Sequence, residues 1–233
     1  MKVIRVFAAS PANRHSMILA CLCAIACAGL STAALGAASG DRLTNEKAKP
    51  LLRMMAASGA AMAADEKAFG EEFVATEIAK LMALNGVTPT SPILDHCDRI
   101  AALADRADVI GKRYPDYLAI ARKQGEAEVT ANQLPPGDVD AYMEGMAGQQ
   151  TSHEQRWALT GKMTRGANAI CAVLARRHWQ IGSTGQIEMD DADKAEVIHL
   201  LESVQEDWQQ FAVLEQERQK VIDEAKRILP KTR

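Results

Sequence analysis

The chain has 233 residues, 48% of them hydrophobic and only 4% aromatic, with 27 basic and 30 acidic side chains. A formal net charge of −3 makes the chain a poor partner for nucleic acid or anionic lipid, both of which need positive patches. With only three Trp, three Tyr and four Phe, it is also poorly supplied with the flat aromatic platforms that sugar-binding grooves use.

The first 16 residues carry Lys2, Arg5 and Arg14 and no acid. Residues 17–38, MILACLCAIACAGLSTAALGAA, are uncharged and end in small residues: Ser31, Ala33, Ala34, Gly36, Ala37 and Ala38. A basic start, an apolar run and small-x-small positions predict a signal peptide over residues 1–38, cut after Ala33, Gly36 or Ala38. Two alternatives stay open. The uncharged run is 22 residues long, and about 20 span a bilayer, so it could remain as an anchor. Lipidation at Cys27 is the other, although Ala24-Ile25-Ala26 fits a lipoprotein box poorly. A mitochondrial presequence would be amphipathic, and this run is not. In the anchor and lipidation readings the basic residues stay inside and the rest crosses. The expected location is the bacterial periplasm, with secretion or membrane anchoring as alternatives. Membrane contact is expected only through the N-terminal segment.

Residues 39–233 are expected to form a single exported domain, large enough for a core of its own. Without Lys2, Arg5 and Arg14 this part holds 24 basic against 30 acidic residues, a net −6. Two of the five cysteines lie in it, Cys97 and Cys171. In an oxidising compartment an isolated pair usually bridges; two buried free thiols are the alternative.

In chain order, the first helix is expected to start near Pro50 and stop at Asn85-Gly86, with a break near Gly70 allowed. After the loop GVTPTS, Ser91 caps a second helix with Pro92 in its first turn. Its apolar stripe is Ile93, Cys97, Ile100, Ala104, Ala107 and Gly111. Pro115 kinks or breaks this rod, since it cannot donate to the helix. LPPGD is a loop, after which Asp138 caps a third segment that may be re-nucleated at Ser152-x-x-Gln155 and ends near Ile181-Gly182. Leu159, Met163, Ala167, Ile170, Leu174 and Ile181 form its stripe, flanked by Cys171. Asp190 or Asp191 caps the last helix, whose seam runs Val197, Leu201, Val204, Trp208, Phe211, Leu214, Val221, Ala225 and Ile228 to a stop at Leu229-Pro230. No alternating strand pattern of useful length appears. Four segments of similar length predict an all-α, elongated up-down-up-down four-helix bundle with its second rod kinked or broken at Pro115.

No motif carries chemistry with force. In Asp95-His96-Cys97-Asp98, adjacent helical residues point about 100° apart, so Cys97 and His96 do not form a dyad. Glu196-x-x-His199 has the spacing of a di-iron carboxylate motif, but such centres need two copies and further glutamates, and His96, His153 and His178 lack the partner. Met54, Met55, Met62, Met82, Met143 and Met146 suit either an adaptable binding surface or a pliable core. No catalytic residue, metal ligand set or cofactor is assigned. The expectation is a non-enzymatic protein that binds another envelope or secreted protein, as adaptor, chaperone, secretion accessory or inhibitor. A bundle binding a metal or small ligand, with Glu196 and His199 as the nominated ligands, is the alternative, followed by a helical envelope hydrolase.

Overall fold

A computed structural model describes residues 45–228 apart from residue 184, and residues 1–38, where a signal peptide is expected, lie outside the described residues. The fold is all-α. Its elements are α1 (Asn45–Ala75), α2 (Ile78–Ala83), a 3-10 turn (Pro92–Asp95), α3 (Cys97–Gly111), α4 (Tyr114–Thr130), α5 (Pro136–Ala147), α6 (Gln150–Ala175), the short strands β1 (Trp179–Ile181) and β2 (Ile187–Met189), and α7 (Asp191–Ile228). Among the described residues no helix is long and apolar enough to cross a membrane.

Several boundaries differ from expectation, each for a local reason. α1 begins at Asn45, so Pro50 is its sixth residue, and the helix runs through the buried Gly70. The break falls at Thr76-Glu77 instead. There the Thr76 hydroxyl donates to Phe73 O at 2.9 Å, and Glu77 turns left-handed at φ 54°. α2 closes with Leu84 at φ 47°, where the N–H of Asn85 donates to Lys80 O at 3.0 Å. Leu84 thus takes the left-handed position usually given to glycine. Ser91 does not cap a helix forward. Its Oγ accepts from Thr88 N at 2.8 Å, closing the preceding loop, and Pro92 opens a 3-10 turn before α3.

The rod is broken, not kinked, at Pro115. α3 ends at Gly111, the N–H groups of Lys112 and Arg113 donate to Val109 and Ile110 carbonyls at 3.2 and 3.1 Å, and α4 opens with Pro115 in its first turn. That position needs no N–H and wants proline's fixed φ. α5 starts two residues before the expected Asp138 cap, with Pro135 at the cap and Asp138 in the first turn. α6 begins at Gln150, ahead of Ser152, so no capping box starts there.

The third segment does not reach Ile181. Arg177, at φ 58°, ends α6, and the chain forms an antiparallel hairpin pairing Trp179 with Met189, Gln180 with Glu188 and Ile181 with Ile187. Trp179, Ile187 and Met189 are buried. Gln180 Nε2 donates to Glu188 Oε2 at 3.0 Å on the outer side. The buried indole of Trp179 donates to Leu174 O at 2.8 Å, giving a terminal α6 carbonyl a partner. α7 has its cap at Asp190, whose Oδ1 accepts from Asp193 N at 2.8 Å.

The chain divides into two compact units. The first comprises Phe69–Asp108 and Ala158–Phe211, the second the described residues 45–68, Val109–Trp157 and 212–228. The first unit buries Phe69, Ile78, Leu81, Ile100, Leu103, Ile170, Leu174 and Val197 to 1% exposure or less. It takes in most of the stripes read on the second and third segments. In the second unit Leu51, Met54, Met55, Met62, Tyr114, Tyr117, Ala121, Leu134, Val139, Tyr142, Met143 and Met146 form one cluster. Five of the six singled-out methionines therefore fill a core; Met82 is half-buried. Each such side chain contributes roughly 1.5–3 kcal/mol by leaving water.

Candidate functional site

Cys97 and Cys171 lie in the first unit. Their Sγ atoms are bonded, with Cα atoms 5.8 Å apart across a sequence separation of 74. Cys97, the first residue of α3, is half-buried, and Cys171 on α6 is fully buried. The carbonyls of Leu94 and Ile93 lie 3.7 and 3.4 Å from the two sulfurs. The bond ties the start of α3 to the last turns of α6.

The other nominated groups do not converge. His96 is exposed. Asp95 pairs with Arg177. Glu196 and His199 are both exposed on α7. Glu196 Oε2 receives Arg176 Nη1 at 3.2 Å, and the same Nη1 reaches Asp193 Oδ1 at 2.5 Å. Glu196 is thus engaged in a surface ion pair at the start of α7, where acids also suit the helix dipole. Among the described residues no group of three or more His, Cys, Asp and Glu side chains is placed to hold a metal ion.

The densest buried polar group was not anticipated, and it belongs to the second unit. Glu66 on α1 is fully buried and its Oε1 accepts from Arg156 Nη2 of α6. Arg156 also lies 3.8 Å from Glu215 Oε1, and its guanidinium sits 5.4 Å from the centroid of Trp157. Arg218 Nε donates to Glu215 Oε2 at 3.1 Å. One residue earlier on α1, Asp65 accepts from Arg113 Nη1 at 2.7 Å and from the Tyr117 hydroxyl at 2.5 Å. Buried charges of this kind persist only when paired and hydrogen-bonded.

His153, fourth residue of α6 and 6% exposed, lies among aromatic rings. Its ring centroid is 5.0 Å from that of Tyr114, 5.8 Å from Tyr117 and 6.4 Å from Trp157. Nε2 is 3.1 Å from Ile110 O. A carbonyl can only accept, so Nε2 carries the proton. Burial, reinforced by the Arg156 charge, pushes the imidazole down to about 4. Burial likewise raises the phenols of Tyr114, Tyr117 and Tyr142. The Tyr114 hydroxyl donates to Met146 O at 2.8 Å.

On the surface side of the same unit, Arg53 grips Glu128 with Nε and Nη2 at 2.7 and 2.5 Å, and Gln124 adds a bond at 2.8 Å. The Arg53 bonds hold the Glu128 carboxyl below the usual carboxylate range.

Chemically, these groups are committed to one another. A general base works best with a pKa near the operating pH and within reach of a substrate proton. His153 is covered, locked on a carbonyl and holds a second proton only weakly. Glu66 is pinned by Arg156 through Oε1 alone, its Oε2 being buried without a hydrogen-bond partner among the described residues, and Asp65 is held by Arg113 and Tyr117. The arrangement joins α1, α4, α6 and α7 within the unit rather than presenting reactive atoms. Its sequence signal is slight: Glu66 and Arg156 stand 90 residues apart, and a charged residue on a helix is ordinarily solvated.

No protein-family model matches this chain, and neither a curated protein nor a solved structure matches it.

Proposed function

We propose that the chain is an exported helical-bundle protein of the bacterial periplasm that acts without catalysis, by binding another envelope or secreted protein. Adaptor, chaperone, secretion accessory and inhibitor are the roles that fit. The basic and apolar pattern of residues 1–38 supports export, as does a cysteine pair within bonding distance, which suits an oxidising compartment.

One observation carries the interaction reading. Helix α7 spans 38 residues, and its apolar seam is only partly covered: Leu201, Trp208 and Leu214 are half-buried. Beside them Ile198 is 37% and Val213 54% exposed. A helix with an uncovered apolar margin among charged residues is suited to a protein groove, where such side chains serve as anchors.

The test is photo-crosslinking from positions 198 and 213 in envelope fractions at native abundance. One protein partner should be captured at both positions, and capture should be lost in Val213→Lys. If no protein is captured from either position, the reading fails.

A further inference from the structure

His153 sits where α3 gives way to α4. Ile110, one residue before the end of α3, offers its carbonyl to two donors: Arg113 N at 3.1 Å and His153 Nε2 at 3.1 Å. Only Lys112 and Arg113 separate the two helices. The first aromatic residues of α4, Tyr114 and Tyr117, both rest against the imidazole, and both belong to the Met- and Tyr-rich core of the unit. One ring of α6 thus holds the last turn of α3 and the first turn of α4 together.

A second proton on this ring would go to Nδ1, and the imidazolium would then need hydration or an anion. Neither is at hand. Lys112 on the junction is exposed, and Arg113 beside it is engaged by Asp65 and Asp116. On α1, Asp65 and Glu66 are taken by Arg113 with Tyr117 and by Arg156. On α7, Glu215 is taken by Arg156 and Arg218, and Arg218 itself opposes a charge on the ring. On α6, Arg156 repels it, and the exposed Glu154, bonded to Gln150 at 2.7 Å, is the acid that favours it.

We propose that His153 is an acid-released pin: its protonation opens the α3–α4 junction and uncovers the methionine- and tyrosine-lined core of this unit. An opened junction lets water reach Nδ1, so the open form binds the proton more tightly than the closed form. The histidine is lowered from 6.5 to about 4 when closed. The open form therefore takes up protons as pH falls below 6.5 and the closed form does not until about 4, so the closed state loses ground across that window. At pH 4.5 the linkage favours opening by roughly 100-fold relative to pH 7.5.

Amide hydrogen exchange of the full chain at pH 7.5 and 4.5, corrected for intrinsic rates, tests this. Peptides covering 108–120 and 150–158 should lose protection by roughly 100-fold at pH 4.5, and those around Cys97, Cys171 and the hairpin far less. His153→Phe, which fills the space and cannot take a proton, should keep the junction protected at both pH values. Equal loss in wild type and His153→Phe overturns the proposal, and so does a uniform loss across both units. Should His153→Phe fail to fold, the imidazole of the wild type is titrated by NMR. A closed-state His153 titrating near 6.5 with unchanged junction protection also overturns it.

Discussion

Reduction of Cys97–Cys171 is the perturbation with the most calculable consequence. The bond closes a loop across a sequence separation of 74. In the chain-entropy account, cross-linking a loop of that length removes enough freedom from the unfolded chain to stabilise the fold by about 4 kcal/mol. For a chain of this size each kcal/mol moves the melting temperature by about 2–4 °C, so reduction should lower it by about 10 °C. Oxidised and reduced wild type are the right pair to compare. Both keep the two sulfurs, whereas alanine at the fully buried Cys171 would add a cavity. The assay is calorimetry under argon with and without reductant, with intact mass confirming the gain of two hydrogens. The first unit, which holds both cysteines, should account for the shift. A fall of less than about 3 °C would show that the unfolded chain is not constrained as calculated. No mass change on reduction would mean that the two sulfurs are not joined.

Three further outcomes follow from the packing. Glu66→Gln leaves Arg156 buried beside a neutral amide and should cost about 3 kcal/mol by urea denaturation; Glu66→Met with Arg156→Leu should recover part of that, because the buried pair goes together and Glu215, losing Arg156, keeps Arg218. Gly125→Ala places a Cβ 2.6 Å from Val139 Cγ1 and 2.8 Å from Met54 Cε; the methionine tip can yield, the valine cannot, and the helix-propensity gain should be outweighed by about 1 kcal/mol. Glu77→Gly relieves a left-handed residue at φ 54° and loses only the exposed pair with Lys80, so melting should show a gain of about 0.5 kcal/mol.

How much could be read beforehand depended on the range of the interaction. The all-α class and the break at Pro115 follow from helical stripes and from proline's missing donor, both properties of short windows. Ile93, Ile100, Ala104, Ala107 and Leu159, Met163, Ala167, Ile170 and Leu174 are buried as their spacing implies. The hairpin escaped because three residues per strand are too few to register an alternation. Gly182 and Gly185, the latter at φ 75°, are turn residues by type, but a turn alone does not announce strands on either side. Ser91 was misread because a serine before a proline can bond forward or backward, and Thr88 N took it. The cluster of Asp65, Glu66, His153 and Arg156 escaped for a different reason. A charged residue on a helix is usually solvated, and only a partner 90 residues away makes it a buried one.

On the export proposal, the expected leader and the fold are connected through energy. A domain's net stability is only about 5–15 kcal/mol, so a cross-link contributing about 4 kcal/mol is a large share of it. Cytosolic thiol buffers keep such pairs reduced, whereas the periplasm oxidises them. On the export proposal, residues 1–38 would thus do more than deliver the chain: crossing the membrane would complete the stability of the first unit. Among the described residues the second unit holds no cysteine, and it is tied instead by ion pairs within itself: Glu66 with Arg156, Asp65 with Arg113, Glu128 with Arg53. Its exposure to the outside medium would act instead through protons, at His153. Redox state and acidity would then bear on different parts of the molecule, one on the Cys97–Cys171 link, the other on the α3–α4 junction. Hydrogen exchange under reductant and under acid should therefore report on separate sets of peptides.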